Sequence, residues 1–173
     1  KGTKSSSWKD QAFRLASELV LGRVEETYQS DAMARGLELE DEAIQTFEFI
    51  TGIETVQVGI VESEKLKGAC CSPDSLSKDL KTGVEIKCPG PTNQMKYLYE
   101  NQLPTKYKQQ VFGSLYICDE LEQYAFFSYH PDMKPFVLFI DRENEEYQAF
   151  AEAMEKHLPE MVKFINDVCE IGK

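Results

Sequence analysis

"GACCSPDSLSKDLKTGVEIKCPG", residues 68–90, decides how this chain folds. In "TGVEIKC", Val84, Ile86 and Cys88 alternate with Glu85 and Lys87, the period of a β-strand carrying both charges on one face. Upstream, Asp74 sits in a Ser-Pro-Asp corner. Residues 66–72 and 82–88 read as two strands joined through "SLSKDLKTG" as a hairpin-like pair. Asp74 and Glu85 thereby fall on adjacent strands, and the Ile86 carbonyl lies between Glu85 and Lys87.

Working outward, "IETVQVGIV" alternates Val56, Val58 and Ile60 and reads as a strand. Before it, residues 31–49 have helical periodicity, and Met33, Gly36, Leu37, Ala43, Ile44 and Phe47 share one side at 100° per residue. Glu40 falls in the middle of that stripe, whereas Glu38, Asp41, Glu42 and Glu48 fall off it. Residues 7–21 open with a capping-box pattern, Ser7 three before Asp10, carry Trp8, Ala12, Leu15 and Leu19 at helical spacing, and stop at Gly22.

Downstream, a loop with Pro89, Pro91 and Pro104 leads into a helix over about 105–117, on which Tyr107, Gln110, Val111 and Ser114 share a face. Two apolar strands, "YAFFSY" and "PFVLFI", are turned by "HPDMK". From about 143 to 170, Tyr147, Phe150, Met154, Leu158, Met161, Ile165 and Val168 mark an amphipathic helix, expected to kink or break before Pro159. The order ααβββαββα predicts an α/β (α+β) fold, a central mixed β-sheet flanked by helices, with residues 1–173 as a single domain.

Net charge is −11, which by itself disfavours a nucleic-acid partner. The distribution reads differently. Residues 65–108 hold 8 basic and 4 acidic groups, whereas residues 1–64 hold 6 and 13 and residues 109–173 hold 5 and 13. The basic third carries the 68–90 stretch, and an acidic remainder would repel DNA from every other surface. No apolar run approaches the roughly 20 residues of a membrane span, and no signal peptide is recognisable, so a soluble cytoplasmic protein without a membrane partner is expected. Lys1 in place of Met points to numbering that begins inside a longer chain. The five cysteines, Cys70, Cys71, Cys88, Cys118 and Cys169, include no CxxC pair and read as small buried hydrophobes.

Hydrolysis of a phosphodiester near neutral pH needs an activated water, a Lewis acid on the phosphate and charge relief for the leaving oxygen, all within reach of Mg²⁺. Magnesium prefers carboxylate, carbonyl and water oxygens, so Asp74, Glu85 and the Ile86 carbonyl are the right ligand types. Lys87 beside the metal would orient the water and stabilise charge on the phosphorane. An inward Glu40 is costly unless paired or metal-linked. Each residue also has an ordinary reading. Asp74 after Pro73 fits turn chemistry, and Glu85 and Lys87 fit the wet face of a half-buried strand. Glu40 fits a snorkelling side chain or a partner of Arg14 or Arg35, Gln110 a helix-surface glutamine, and Ser7 an N-cap.

An inward Glu, then a PD corner, then ExK on a strand resembles the PD-(D/E)xK nuclease fold, the restriction-endonuclease-like core. "CSPDSL", "GVEIKCP", "GLELEDEA" before "FEFITG", "YKQQ" and "YHPDMK" are similar to the phage lambda exonuclease, or YqaJ-like, alkaline exonuclease family over nearly the whole chain. The resemblance implies a Mg²⁺-dependent exonuclease that degrades one strand of linear double-stranded DNA from its 5′ end to mononucleotides, leaving a 3′ single strand for recombination. It implies two Mg²⁺ ions per site, with Mn²⁺ a possible substitute, a single-strand annealing protein as partner, a homotrimer, and a bacterial or phage-infected cell as the setting. Carried onto this sequence, Asp74 and Glu85 are metal carboxylates, the Ile86 carbonyl a further ligand, Glu40 the helix carboxylate for the second metal or the water, Lys87 the catalytic lysine and Gln110 the site glutamine. Ser72 of "CSPD" and Ser7, closing a "KGTKSSS" stretch similar to the family's R-x-G-x-x-T/S-x-S, would contact the terminal 5′-phosphate. The arginine of that stretch would lie just upstream of Lys1, and Ser75 stands where the family often has glycine.

Two other functions fit the same residues. A sequence- or structure-specific endonuclease on this fold would cut closed circles, and a non-catalytic DNA-end clamp would be indifferent to Lys87→Ala.

Overall fold

The computed structural model describes residues 7–24, 31–66 and 68–173, with the side chains of residues 31–33 left aside. It divides into two compact units, one of residues 1–28 and 148–173, the other of residues 29–147. Among the described residues no helix is long and apolar enough to cross a membrane.

The first unit pairs α1 (Trp8–Leu21) with the distal part of the last helix. Trp8 and Phe13 meet Phe164 edge-on at 5.2 and 5.3 Å, and the Cys169 thiol donates to the Ala16 carbonyl at 3.7 Å. Ala12 and Ala16 are the buried positions of α1, because small side chains let the helices approach closely. Leu15 and Leu19, expected in the apolar stripe, are 47% and 66% exposed. Ser7 occupies the N-cap position without a side-chain capping hydrogen bond, so the expected capping box does not form. Gly22 ends the helix at φ 63°, a left-handed conformation suited to glycine.

The second unit is built on a five-stranded sheet. Its elements are α2 (Asp31–Thr51), β1 (Thr55–Val56), β2 (Val61–Glu62), β3 (Cys70–Cys71), β4 (Ser75–Ser77), β5 (Thr82–Lys87), α3 (Pro91–Glu100), α4 (Thr105–Ile117), β6 (Gln123–Ser128), β7 (Phe136–Asp141) and the start of α5 (Glu145–Gly172). The strand order is β1-β4-β5-β6-β7, with β5 and β6 parallel and the other pairs antiparallel, while β2 and β3 pair separately. The parallel pair requires a crossover, which α3 and α4 supply. This is the mixed sheet flanked by helices that the sequence predicts.

Alternation along β5 and β6 builds two cores. Val84, Ile86, Ala125 and Phe127 pack with Ala43 and Phe47 of α2. On the other face Phe126 meets Tyr97 of α3 at 6.1 Å and Tyr107 of α4 at 5.2 Å. Buried Gln94 ties α3 to the strand ends, donating to the carbonyls of Lys134 at 2.8 Å and Ser128 at 3.3 Å and accepting from the Ser128 hydroxyl at 2.6 Å. Arg142 closes the far end of α4, donating to the carbonyls of Leu115, Cys118 and Asp119 at 3.0, 2.8 and 3.2 Å.

Several expectations are corrected. The hairpin joins β4 to β5 through residues 78–81, because residues 70–71 pair with β2 instead of β5. Only Thr55 and Val56 of the alternating 53–61 stretch pair in the main sheet. The proline-containing stretch after Pro89 forms a helix, α3, with Pro91 at its first turn, where its missing N–H costs nothing. Helix α5 runs on through Pro159. Both Pro159 and Glu155, whose carbonyl loses its partner, are exposed, so water can satisfy it. Ser75 adopts strand geometry in β4, so no glycine is needed there. The cysteines are free, and they are not uniformly buried: Cys70 is exposed and Cys71 and Cys88 are intermediate.

Candidate active site

β5 delivers Glu85 and Lys87 to the face covered by α4, so this face is not the wet one. Glu85 is fully buried, and its Oε1 is ion-paired with the Lys87 ammonium. The other oxygen, Oε2, has no hydrogen-bond partner. Asp74 lies immediately before β4. Its N–H donates to the Val84 carbonyl at 3.1 Å, and its Oδ2 accepts from the Ile86 N–H at 2.6 Å. The β4–β5 register thus places Asp74 beside Glu85.

A cavity of about 800 Å³ opens here, within the range of ligand sites, and Glu40, Asp74, Ile86 and Lys87 all line it. Glu40 therefore points where the helical period places it. The Arg14 guanidinium pairs within its own helix with Glu18 at 3.1 Å. Leu37, expected in the core, is 65% exposed because the first half of α2 borders the cavity instead of the sheet. Gln110 is exposed on α4, and its amide approaches the Glu85 carboxylate. Ser72 lies outside the cavity lining, exposed, with its hydroxyl 3.5 Å from the Gly59 carbonyl. Ser7 belongs to the first unit, at the start of α1, and the residues that precede it in "KGTKSSS" lie outside the described residues.

The electrostatics share one theme. Burial pushes Glu85 up to about 7, and the Asp74 charge adds to this, while Lys87 and Gln110 pull it back. Asp74 is raised by burial against the opposing Ile86 N–H bond and Lys87. Glu40 is raised by burial and by the charges of Asp74 and Asp41. Burial pulls Lys87 down, but Glu85, Asp74 and Tyr107 outweigh it and hold the ammonium above its usual range. Three acids resist ionising together, a deficit that a divalent cation relieves.

The donor set fits such an ion. Two carboxylates and a carbonyl are hard oxygen donors of the kind Mg²⁺ and Mn²⁺ take alongside water. The buried Glu85 Oε2, without a hydrogen-bond partner, is an oxygen of the type such an ion would take. Among the described residues no group of three His, Cys, Asp or Glu side chains is placed to hold a metal. Substrate oxygens and water would therefore complete the coordination.

Lys106, Tyr107 and Arg35 also line the cavity, and none was singled out from sequence as a site residue. The Tyr107 ring lies 5.5 Å from Lys87 Nζ and 4.6 Å from Lys106 Nζ. The spacing held a signal, since Lys106 and Gln110 are four apart on one helix face.

Residues 2–120 match the family model of the YqaJ-like viral recombinase domain. No curated protein matches. Among solved structures, the chain is similar to an alkaline exonuclease, LHK-Exo, from Laribacter hongkongensis, with a TM-score of 0.79 at 24% identity over 96% of this chain and 85% of that one. LHK-Exo in complex with dAMP gives a TM-score of 0.79 at 25% identity over the same shares. A phage-related exonuclease from Haemophilus somnus 129PT gives 0.72 at 14% identity over 99% of this chain and 86% of that one. The sheet and its helices are accordingly a PD-(D/E)xK-like core.

Proposed function

This chain belongs to the YqaJ-like viral recombinase domain family, and from that premise we propose that it is a Mg²⁺-dependent 5′-to-3′ exonuclease of linear double-stranded DNA. It releases mononucleotides and leaves a 3′ single strand for annealing-type recombination. The observation that carries the reading is Glu85, a buried carboxylate with one oxygen on Lys87 and the other without a partner, beside Asp74 at the wall of an open cavity. The similarity to an alkaline exonuclease that has been crystallised with dAMP, a deoxynucleoside monophosphate, supports it.

In this proposal Asp74, Glu85 and the Ile86 carbonyl hold one Mg²⁺, and Glu40 helps hold a second or its water. When bound, these ions supply the Lewis acid for the scissile phosphate and lower the pKa of the attacking water. Lys87 aims its ammonium at that water and at the charge growing on the phosphate. Its bond to Glu85 fixes its direction before substrate arrives. Gln110, at the open side of Glu85, orients the same water. Ser72 and Ser7 are assigned to the terminal 5′-phosphate by family resemblance. Residues 1–173 serve as one exonuclease domain, working in the cytoplasm beside a single-strand annealing protein, and as a homotrimer.

The test is an end-labelled assay on linear, nicked and closed circular duplex, with and without Mg²⁺. Mononucleotide release from linear ends alone, only with Mg²⁺ or Mn²⁺, is the expected result. Cutting of closed circles would make the protein an endonuclease. Tight end binding with no cleavage under any metal would make it a clamp.

A further inference from the structure

The chain carries a net charge of −11, yet its cavity is lined by three cations, Arg35, Lys87 and Lys106, against two carboxylates, Glu40 and Asp74. Lys87 is committed to Glu85. Neither Arg35 nor Lys106 forms a salt bridge with a described residue; among these residues the Lys106 ammonium has only the neutral Tyr107 and Tyr97 hydroxyls as hydrogen-bond partners. Several other lysines of this unit are paired with carboxylates. Lys108, two positions along the same helix, pairs with Glu146 at 2.7 Å, Lys78 with Glu54 at 2.6 Å and Lys81 with Glu122 at 2.9 Å. In a chain with 30 acidic side chains, two cations on a cavity wall with no carboxylate partner among the described residues are placed for an anion from outside.

Lys106 is exposed but not unguided. Its ammonium lies 4.6 Å from the centre of the Tyr107 ring and 5.9 Å from that of Tyr97. Tyr107 in turn packs on Phe126 of β6 at 5.2 Å and lies 5.5 Å from Lys87 Nζ. One ring, packed on Phe126, thus lies within cation–π range of both ammonium groups. Arg35 reaches the cavity from a different element, α2, whereas Lys106 comes from α4.

We propose that Arg35 and Lys106 bind phosphates of the DNA backbone adjacent to the one cleaved, and that the Tyr107 ring holds Lys106 in register with Lys87. This rests on the nuclease reading for the identity of the cleaved bond. The two cations hold the strand across the carboxylates, so that its own repulsion from Glu40 and Asp74 is offset at neighbouring phosphates.

The experiment measures binding of a fluorescently labelled linear duplex with a 5′-phosphate by anisotropy, in Ca²⁺, whose looser coordination supports binding with little cleavage. It is repeated in a Lys87→Gln background, where cutting is removed by substitution instead of by metal. Salt is varied over about 50–200 mM, and the slope of log affinity against log salt counts the phosphate contacts, about 0.9 per contact on duplex and 0.7 on single strand. Lys106→Ala and Arg35→Ala are each expected to weaken binding about tenfold and to reduce the slope by about one contact. Lys106→Arg restores both. Tyr107→Leu loses the Lys106 contribution. Melting curves identify any variant that is merely unfolded, for which Lys106→Gln or Arg35→Gln is substituted.

Alanine variants with wild-type affinity and slope would overturn the inference while leaving cleavage by the wild type intact. Wild-type protein that binds duplex with the expected slopes but never cuts it would overturn the nuclease reading alone. Absence of duplex binding overturns both.

Discussion

The Asp74 carboxylate accepts the Ile86 N–H at 2.6 Å and so continues the β4–β5 pairing past Ser75, the first residue of β4. A side chain takes over where the strand has not yet begun. One oxygen is thereby fixed to the backbone, and the carboxylate is held at the cavity wall without a wait for metal.

Asp74→Asn can keep this hydrogen bond through its amide oxygen while losing the charge. It is expected to melt within a degree or two of wild type and to show no Mg²⁺-dependent cleavage. Asp74→Ala strands a backbone N–H and should cost about 1–3 kcal/mol as well. Normal digestion by the Asn variant would show that the charge at this position is dispensable.

Lys87→Ala should still bind duplex ends, because the remaining cavity cations persist, but its rate of mononucleotide release should fall about 10²–10³-fold, the usual loss for one electrostatic donor aimed at the developing charge. A single-turnover assay separates the two steps. Recovery of normal digestion would remove Lys87 from the mechanism.

The raised pKa of Glu85 has a definite sign in stability. Its folded value, about 7, lies above the ordinary 4.5, so the folded protein binds the extra proton between these limits. Stability present below about pH 4.5 is lost as pH rises through 7, by an amount on the order of 3 kcal/mol for metal-free protein. Asp74 and Glu40, both raised, act in the same direction. Chelated protein should therefore melt at lower temperature at pH 8 than at pH 5.5, and Glu85→Gln should flatten that slope. The thermal gain on adding Mg²⁺ should grow with pH, since ions compete with protons for these oxygens. A metal effect independent of pH would contradict the assignment.

Gly83 of β5 faces Tyr124 across the parallel pairing, and a Cβ there would lie 2.4 Å from Tyr124 Cε2 and 2.9 Å from Leu121 Cδ1. Tyr124 is fully buried and has no room to retreat. Gly83→Ala should destabilise the protein by about 1–3 kcal/mol through overpacking, readable as a lowered urea midpoint. Gly36→Ala, at a position with open space, should not.

The site was legible in sequence where a single period governed it. Two-residue alternation placed Glu85 with Lys87, and the 100° helical step placed Glu40 on the cavity side, as the structure has them. The depth of Glu85 was not legible, because alternation assigns a face without saying what covers it, and α4 covers this one. Residues 66–72 looked like the partner of β5 because their apolar character is local, whereas pairing is decided by β2, which arrives from elsewhere. Prolines misled twice. Pro91 starts a helix and Pro159 rides through one, since proline's cost depends on whether its missing bond faces water or core. Arg142, which gathers three carbonyls at the α4 terminus, left no pattern, for those carbonyls lie 23 to 27 residues away.

Strand β5 is buried from Thr82 through Ile86, both faces included. Any substitution along it disturbs packing or chemistry, so it offers no latitude for gradual change. Under the exonuclease proposal, adaptation to a different DNA end has to be written elsewhere, and α2 and α4 offer the space at Arg35, Leu37 and Lys106. A library randomised at those three positions is where altered selectivity should first be sought.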